Sequence, residues 1–566
     1  MEQFLAILKT YWGYDSFREM QPEIITSVSS GHDTLGLMPT GGGKSLTFQV
    51  PALAMDGICL VVTPLIALMK DQVANLRRRG ILAVALHSGL TRDEMTVALD
   101  NCLLGGGKFV YLSPERLATE LFLVKVRQMK VCMIVVDEAH CISQWGYDFR
   151  PAYLNIADLR NELPGVPVLA LTATATPRVV DDIMQRLRFS EPRVFRKSFA
   201  RPNIAYIVRP TEQKEEQLIR ILSKVPGSSV VYVRNRKQTR EYAQLLAANG
   251  ISAAYFHAGL PAAEKDRIQK AWTDNAVRVI VCTNAFGMGI DKPDVRTVVH
   301  MMAPDSLEAY FQEAGRAGRD GRKAYATLLW SKADEAKLRK SVADAFPPIE
   351  FITKVYQTIG NYYTVAVGSG CGMVHDFDIG RFCQECHLPI IAVNSSLAIL
   401  GNAGYIDYQA NVEMQSRMIF IIDNRELYTI QLQYPDLDIT IKTVLRLYTG
   451  LFSEYVAIDE ERIARRCGKT RQQIYEDLQA LTRMRVARYM PARKTSQLTW
   501  LDDRQRPGDL IIRPEVYGQR RDDLSRRVES VIAYCTNDTD CRSRQLLDYF
   551  GERHADDCGH CDVCLK

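Results

Sequence analysis

Val131-Cys132-Met133-Ile134-Val135-Val136-Asp137-Glu138-Ala139-His140 decides how this chain is read. Six apolar residues in a row are too short for an ordinary helix and suit a strand buried on both faces. The strand ends in two adjacent acids, a pair suited to hold Mg²⁺ and polarise a water. Upstream, Thr40-Gly41-Gly42-Gly43-Lys44-Ser45 follows another short apolar stretch, 34–38. Glycines let backbone N–H groups wrap phosphate oxygens closely. Lys44 would reach the β- and γ-phosphates, and Ser45 would ligate Mg²⁺. A strict phosphate-loop pattern has Gly six residues before the Lys, where this chain has Met38. Asp137 is the expected Mg²⁺ ligand, and Glu138 the expected base or positioner of the attacking water. Together the two stretches predict a nucleotide hydrolase.

The same strand-then-helix rhythm extends from about residue 30 to 330. Short β-rich runs at 58–63, 109–113, 132–137 and 168–172 form one series. Runs at 230–233, 253–257, 279–283, 297–301 and 324–330 form a second. The class is α/β, with two parallel sheets and an interdomain linker expected over 195–210. In the second series, Gln312-Glu313-Ala314-Gly315-Arg316-Ala317-Gly318-Arg319 sets two arginines three apart. Arg316 and Arg319 would share one side of a helical turn and stabilise charge on a γ-phosphate. Gln312 joins the nucleotide-binding set.

After Pro347-Pro348 strands become scarce. The stretches 378–386 and 390–400 read as helix-turn-helix, as do 459–467 and 470–483 with Thr470 as N-cap. Each pair precedes a possible hairpin, 405–408 with 417–422 and 486–490 with 497–501. Two tandem winged-helix-like domains are therefore expected. Between Glu460 and Lys494 ten Lys/Arg face four acids, which makes the second unit the better duplex candidate. Arg493-Lys494, at its expected hairpin tip, is a candidate strand-splitting wedge. Expected domains are a first lobe over 1–200, a second over 201–345, winged-helix-like domains over 346–430 and 431–520, and a cysteine module over 521–566.

In that module, Cys541, Cys558, Cys561 and Cys564 have the spacing C-x16-C-x2-C-x2-C. Two CxxC-type steps with one distant thiol suit tetrahedral Zn²⁺. Arg542 and Arg544 could also meet phosphate. Cys383 and Cys386, with His387 and Cys371 nearby, read instead as small buried hydrophobes of a helix.

Bulk properties agree with a globular enzyme. The 566 residues, about four domains' worth, are 47% hydrophobic and 24% charged, with a net charge of +5. A nucleic-acid surface must then be local rather than global. No apolar run approaches the ~20 residues of a membrane span. Met1-Glu2-Gln3-Phe4 does not resemble a signal peptide, so a cytoplasmic protein is expected.

These motifs resemble superfamily-2 helicases, and several further stretches resemble the RecQ family. Trp12-Gly13-Tyr14 and Phe17-Arg18-Glu19-Met20-Gln21 look like its adenine-reading segment. The resemblance implies that Gln21 meets the adenine edge, with Tyr14 and Arg18 against the ring. Thr63-Pro64-Leu65 and Ser113-Pro114-Glu115-Arg116-Leu117 look like DNA-contacting motifs. Leu171-Thr172-Ala173-Thr174-Ala175-Thr176 looks like the segment coupling the lobes. The stretch beginning Thr283-Asn284-Ala285-Phe286 looks like the part of the second lobe that touches nucleotide and DNA. Cys141-Ile142-Ser143-Gln144-Trp145-Gly146-Tyr147-Asp148-Phe149-Arg150 offers ring faces and a cation beside the acids. The resemblance makes it a DNA sensor acting on Glu138 or His140, with Gln144, Trp145, Phe149 and Arg150 as contacts. It implies two RecA-like lobes and an ATP- and Mg²⁺-dependent, 3′-to-5′ DNA helicase of repair or recombination. Its partners would be single-stranded and duplex DNA, a single-strand-binding protein and repair factors, at the nucleoid if bacterial. An RNA helicase or nucleic-acid-stimulated ATPase remodeller, and a non-catalytic nucleic-acid scaffold, are the alternatives. The resemblance covers 1–340 and resumes near 524. The family's usual layout sets the zinc module directly after the core, then a winged helix. Here about 180 residues (341–520) intervene and two residues follow Cys564.

Overall fold

The protein is described by a computed structural model covering residues 1–39, 42–64, 66–87, 90, 92–105, 107–143, 149–286, 292–414, 416–553 and 555–566. The side chains of 67, 92, 93, 262, 411–414, 424, 425 and 493–495 also lie outside the description. Among the described residues no helix is long and apolar enough to cross a membrane. The chain forms two compact units, residues 1–340 with 522–566, and residues 341–521.

The first unit holds two parallel sheets. In the first lie β1 (Thr34–Leu37), β2 (Ile58–Val62), β3 (Ala83–Leu86), β4 (Phe109–Leu112), β5 (Val131–Val136), β6 (Val168–Thr172) and β7 (Arg193–Arg196). Their order is β3-β4-β2-β5-β6-β1-β7. β1, β2, β4 and β6 are buried along their whole length, as continuous apolar runs require when helices cover both faces. Asp33, only 4% exposed, staples the start of β1. It accepts from Val168 N at 3.0 Å, Ser190 N at 3.1 Å and Arg160 Nη2 at 2.8 Å. β1 and β5 flank β6, so the ends of the phosphate-loop strand and the acid strand stand one strand apart.

The second sheet contains β8 (Ile204–Pro210), β9 (Ser228–Tyr232), β10 (Ala253–Phe256), β11 (Val279–Cys282), β12 (Val295–His300) and β13 (Ala324–Trp330). Their order is β10-β11-β9-β12-β13-β8. This corrects the expected linker: 195–210 contains the end of β7 and all of β8. Only 197–203 connects the two sheets. The apolar run from Ile204 outweighs the prolines, and Pro210 sits at the strand end, where its missing N–H costs little.

In the second unit all four expected helices form, as Ile379–Glu385, Ile390–Asn402, Glu460–Cys467 and Arg471–Arg483. Asp378 and Asp459 cap two of them, and Thr470 with Gln473 makes a capping box. The expected hairpins do not form. The strands here are β14 (Val374–Asp376), β15 (Ile406–Met414), β16 (Arg417–Phe420), β17 (Val456–Ala457), β18 (Ala487–Met490) and β19 (Arg493–Trp500). β15 pairs with β19, from Ile406 opposite Trp500 to Met414 opposite Arg493. β16 pairs with β18, from Arg417 opposite Met490 to Phe420 opposite Ala487. The partners are exchanged, so one winged helix is nested inside the wing of the other. Burial explains the exchange. Ile406, Leu498 and Trp500 enter one core with Tyr356 and Phe382. Met418, Phe420 and Tyr489 enter a separate core with Ile474 and Leu478.

A boundary at 430 falls inside the inner core, which runs from Met418 to Tyr489. Arg493 and Lys494 are not at a free hairpin tip. They begin β19, opposite Met414 and Glu413, where the outer ladder passes into the nested domain. Ser416 closes this neck by accepting from Ala492 N at 2.6 Å while hydrogen-bonding buried Glu460.

Separate cores make the insert removable. Replacing 415–492 by Asn-Gly, a turn that suits a two-residue hairpin, should leave the remaining chain folded. Its melting temperature should fall by less than about 5 °C. Loss of cooperative melting would contradict the nested arrangement.

Candidate active site and metal centre

β1 delivers the glycine loop to the start of the helix Leu46–Ala54, where the helix dipole favours phosphate. Gly43 has φ +81°, and a Cβ there would lie 2.4 Å from Gln21 Nε2. Gln21 is buried at 1% exposure. It donates to Gly43 O at 3.0 Å and accepts from Arg18 N at 2.8 Å. One end of its carboxamide therefore braces the loop while the other is fixed by its own turn. Arg18 and Tyr14 are both exposed. Thr40 and Gly41 lie outside the described residues; Gly42, Lys44 and Ser45 continue the loop into the helix.

Asp137 and Glu138 follow β5 at the same sheet edge. Glu138 adopts φ 49°, ψ 50°, a left-handed conformation for a residue with a side chain. Such strain costs of order 1–3 kcal/mol and needs surrounding support. Tyr153 OH supplies some of it, donating to Asp137 O at 3.0 Å. Lys44 Nζ lies 3.7 Å from Glu138 Oε1. Burial, and then the neighbouring Glu138, push the Asp137 carboxyl up to about 6, against the pull of Lys44. Two crowded acids beside Ser45 form a donor set that fits a divalent cation.

His140 Nδ1 is 2.9 Å from Thr172 Oγ1 at the end of β6, and 3.4 Å from Glu138 Oε2. Thr172 was missing from the expected site, although its motif was noticed. The register of β5 on β6 brings the two together.

The second lobe contributes the helix Leu307–Ala314 and the turn after it. Gln312 and Arg316 line a cleft of about 690 Å³ with Arg150 of the first lobe, Tyr232, Asn284 and Arg527. Arg316 is 4% exposed and Arg319 is half-buried. Tyr232, which shares the cleft wall with Arg316, donates to Phe286 O at 2.9 Å and stacks on His300 at 5.1 Å, and His300 Nε2 lies 2.9 Å from Glu313 Oε2. This buried cluster supports Arg316, and no sequence motif announced it.

Of the expected DNA contacts, Gln144 and Trp145 lie outside the described residues. Arg150 Nη1 donates to Pro64 O at 3.0 Å, and its backbone N to Cys141 O at 2.9 Å. Phe149 is half-buried. Thr283, 9% exposed, ends β11 and turns the chain, its O accepting from Phe286 N at 3.0 Å.

The thiols of Cys541, Cys558, Cys561 and Cys564 lie within 4.8 Å of one another. Four Zn–S bonds of ~2.3 Å would set neighbouring sulfurs about 3.8 Å apart, so the cluster fits zinc. Cys558 N donates to Cys541 Sγ at 3.2 Å and Cys564 N to Cys561 Sγ at 3.4 Å, bonds that favour thiolate. Arg542 and Arg544 are not available for phosphate. Arg542, 3% exposed, pairs with Asp562 at 3.0 Å and donates to Tyr534 O. Arg544 pairs with Asp557 at 2.7 Å and Asp540 at 3.0 Å. Cys383 and Cys386 pack on the outer winged-helix core, as expected.

Four family models match this chain. They are DEAD/DEAH box helicase over 18–183, helicase conserved C-terminal domain over 213–321, RecQ helicase winged-helix domain (Bacteroidota) over 418–491, and RecQ zinc-binding over 501–565. The winged-helix match coincides with the nested domain. The chain is 43% identical over 337 residues to the ATP-dependent DNA helicase RecQ of Haemophilus influenzae, covering 59% of this chain and 54% of that one. It is 42% identical over 339 residues to RecS of Bacillus subtilis, a probable ATP-dependent DNA helicase, covering 59% and 68%. The chain thus spans about half the length of the RecQ proteins of Haemophilus influenzae and Pasteurella multocida. Among solved structures, Mss116p bound to single-stranded RNA and AMP-PNP aligns with TM-score 0.51 at 18% identity, over 63% of this chain and 80% of that one. MrfA, a DUF1998 helicase bound to DNA, aligns with TM-score 0.50 at 19% identity, over 60% and 53%. These likenesses establish the fold of the paired lobes.

Gly43→Ala adds a Cβ where neither φ nor space allows one. Nucleotide affinity should fall at least about tenfold, by titration of a fluorescent nucleotide, with the melting temperature little changed. An unchanged affinity would show that the loop does not close on phosphate. The purified chain should carry one zinc. Cys561→Ser should release it and lower the melting temperature, as metal analysis and calorimetry would report.

Proposed function

We infer function from kinship: the chain belongs to the RecQ helicase family. It is an ATP-dependent DNA helicase that couples hydrolysis to movement along single-stranded DNA, 3′ to 5′, and separates duplexes in repair or recombination. The observation that carries this reading is the run Lys44–Glu138–His140–Thr172, with Glu138 3.7 Å from Lys44 and His140 2.9 Å from Thr172. It joins a phosphate-gripping lysine to the segment that couples lobe movement.

Lys44 and the loop N–H groups hold the β- and γ-phosphates. Ser45 and Asp137 are the residues that would hold Mg²⁺, which when bound neutralises phosphate charge. Glu138 orients the attacking water and accepts its proton. Arg316 and Arg319 meet the charge that develops on the transferred phosphoryl group. Gln21, Tyr14 and Arg18 serve the adenine end, and Gln312 the cleft wall. DNA held by Gln144, Trp145, Phe149, Arg150 and Thr283 reports to Glu138 through Cys141 and His140, three and two residues after it.

Duplex DNA is met by the nested winged helix, on which Arg462, Arg465, Arg466, Arg471, Arg483, Arg485 and Arg488 are exposed. Neutralising phosphates there releases counterions and makes binding salt-dependent. The zinc is structural, since all four positions are thiols. A DNA substrate assigns the protein to the cytoplasm and, in a bacterium, the nucleoid, alongside a single-strand-binding protein and repair factors.

Single-stranded DNA should raise the rate of ATP turnover at least about tenfold, and more than RNA of equal length does. Lys44→Ala should lower turnover about 100-fold or more. Duplexes with 3′ tails should be unwound in preference to 5′-tailed ones. Turnover indifferent to single strands would overturn the reading, and greater stimulation by RNA would favour an RNA helicase.

A further inference from the structure

The helix Leu307–Ala314 ends in a turn whose carbonyls have no intrahelical partners. Arg201, from the short connection between the lobes, takes three of them. Its Nη1 donates to Gly315 O at 3.0 Å, and its Nη2 to Ala317 O at 2.9 Å and Gly318 O at 3.2 Å. Asn203 adds bonds to Gly318 O at 2.6 Å and Arg322 O at 3.0 Å. Gly318 has φ +57°, and a Cβ there would lie 2.4 Å from Asn203 Nδ2, so the turn is shaped around these donors. Arg316 and Arg319 project from this turn.

The connection is itself anchored on its other side. Glu552, just past the helix Arg542–Tyr549, accepts from Phe199 N at 2.5 Å and Ser198 Oγ at 2.8 Å. Phe199 packs against Phe550 at 5.1 Å and Phe311 at 6.1 Å. The backbone two residues before Arg201 is therefore held by the zinc module.

We propose that Arg201 is a positioning residue for hydrolysis, setting the turn that carries Arg316 and Arg319 and transmitting to it the anchorage of the zinc module at Ser198 and Phe199. A guanidinium suits this task because its planar fork reaches several carbonyls at once and its charge complements the helix C-terminus. A lysine offers the charge on one flexible ammonium. Arg201 does not line the cleft, and it acts on the rate through Arg316 and Arg319. The inference rests on the helicase reading above.

The test uses the full chain with zinc bound, comparing wild type with Arg201→Met and Arg201→Lys under saturating single-stranded DNA. Arg201→Met should lower kcat about 100-fold, the scale set by a displaced catalytic group. KM for ATP and affinity for ADP should stay within about twofold. Affinity for ADP with aluminium fluoride, which mimics the transferring phosphoryl group, should fall in step with kcat. Arg201→Lys should recover part of kcat. A merely structural role would lower ADP affinity and kcat together, along with the melting temperature, and that result overturns the proposal. A folded Arg201→Met with kcat within about twofold of wild type overturns it as well. Should Arg201→Met fail to fold, Asn203→Ala decides: a smaller kcat loss at constant ADP affinity supports the proposal, and wild-type kcat overturns it. A wild-type chain without DNA-stimulated turnover defeats the helicase reading and this inference together. An active wild type with an indifferent Arg201→Met defeats this inference alone.

Discussion

The parallel ordering of β5, β6 and β1 is the constraint on which the nucleotide site depends. Parallel strands end on one edge of the sheet, and loops leaving that edge converge. Because β6 separates the loop strand from the acid strand, Thr172 stands between them and becomes the partner of His140. Glu138 can then reach Lys44 on one side and His140 on the other. The left-handed backbone at Glu138 is the local cost of aiming one carboxylate at both.

The candidate cations of the second lobe are held rather than loose. Arg316 is buried against Tyr232, which is fixed by His300 and Glu313. From the opposite side the zinc module packs Phe550 on Phe311 and joins Tyr549 to Glu308 at 2.8 Å. His560 reaches Ile204 O at 3.1 Å. A small thiol-held module is a rigid body of few residues. Seated against the interlobe connection, it limits the conformations open to 197–203, and Arg527 of its leading helix lines the cleft.

The second unit illustrates how burial chooses among locally equivalent strands. β15, β16, β18 and β19 each carry apolar residues that need a core, and none is joined to its sequence neighbour by a compelling two-residue turn. Pairing β15 with β19 lets Trp500 and Leu498 complete the core begun by Ile352 and Tyr356. Pairing β16 with β18 does the same for Met418 and Tyr489 on Ile474 and Leu478. The neighbouring pairings would join strands that belong to different cores. The neck is sealed by polar groups, Ser416 and Glu460 with Tyr489, where two crossing strands leave no apolar surface to pack.

By itself the sequence determined the chemistry of the ends: the phosphate loop, the acids after β5, the four thiols, the helix cap at Thr470, and the parallel class of both sheets. Each rests on spacing within a few residues, or on an apolar period that any burial would satisfy. Tertiary structure alone decided that 204–210 is a strand, that Arg542 serves Asp562 rather than phosphate, that Thr172 joins the site, and that one winged helix lies within another. In those cases the residue's partner comes from a distant part of the chain, and several partners are equally allowed locally. Only the competition for buried surface and for satisfied hydrogen bonds selects one.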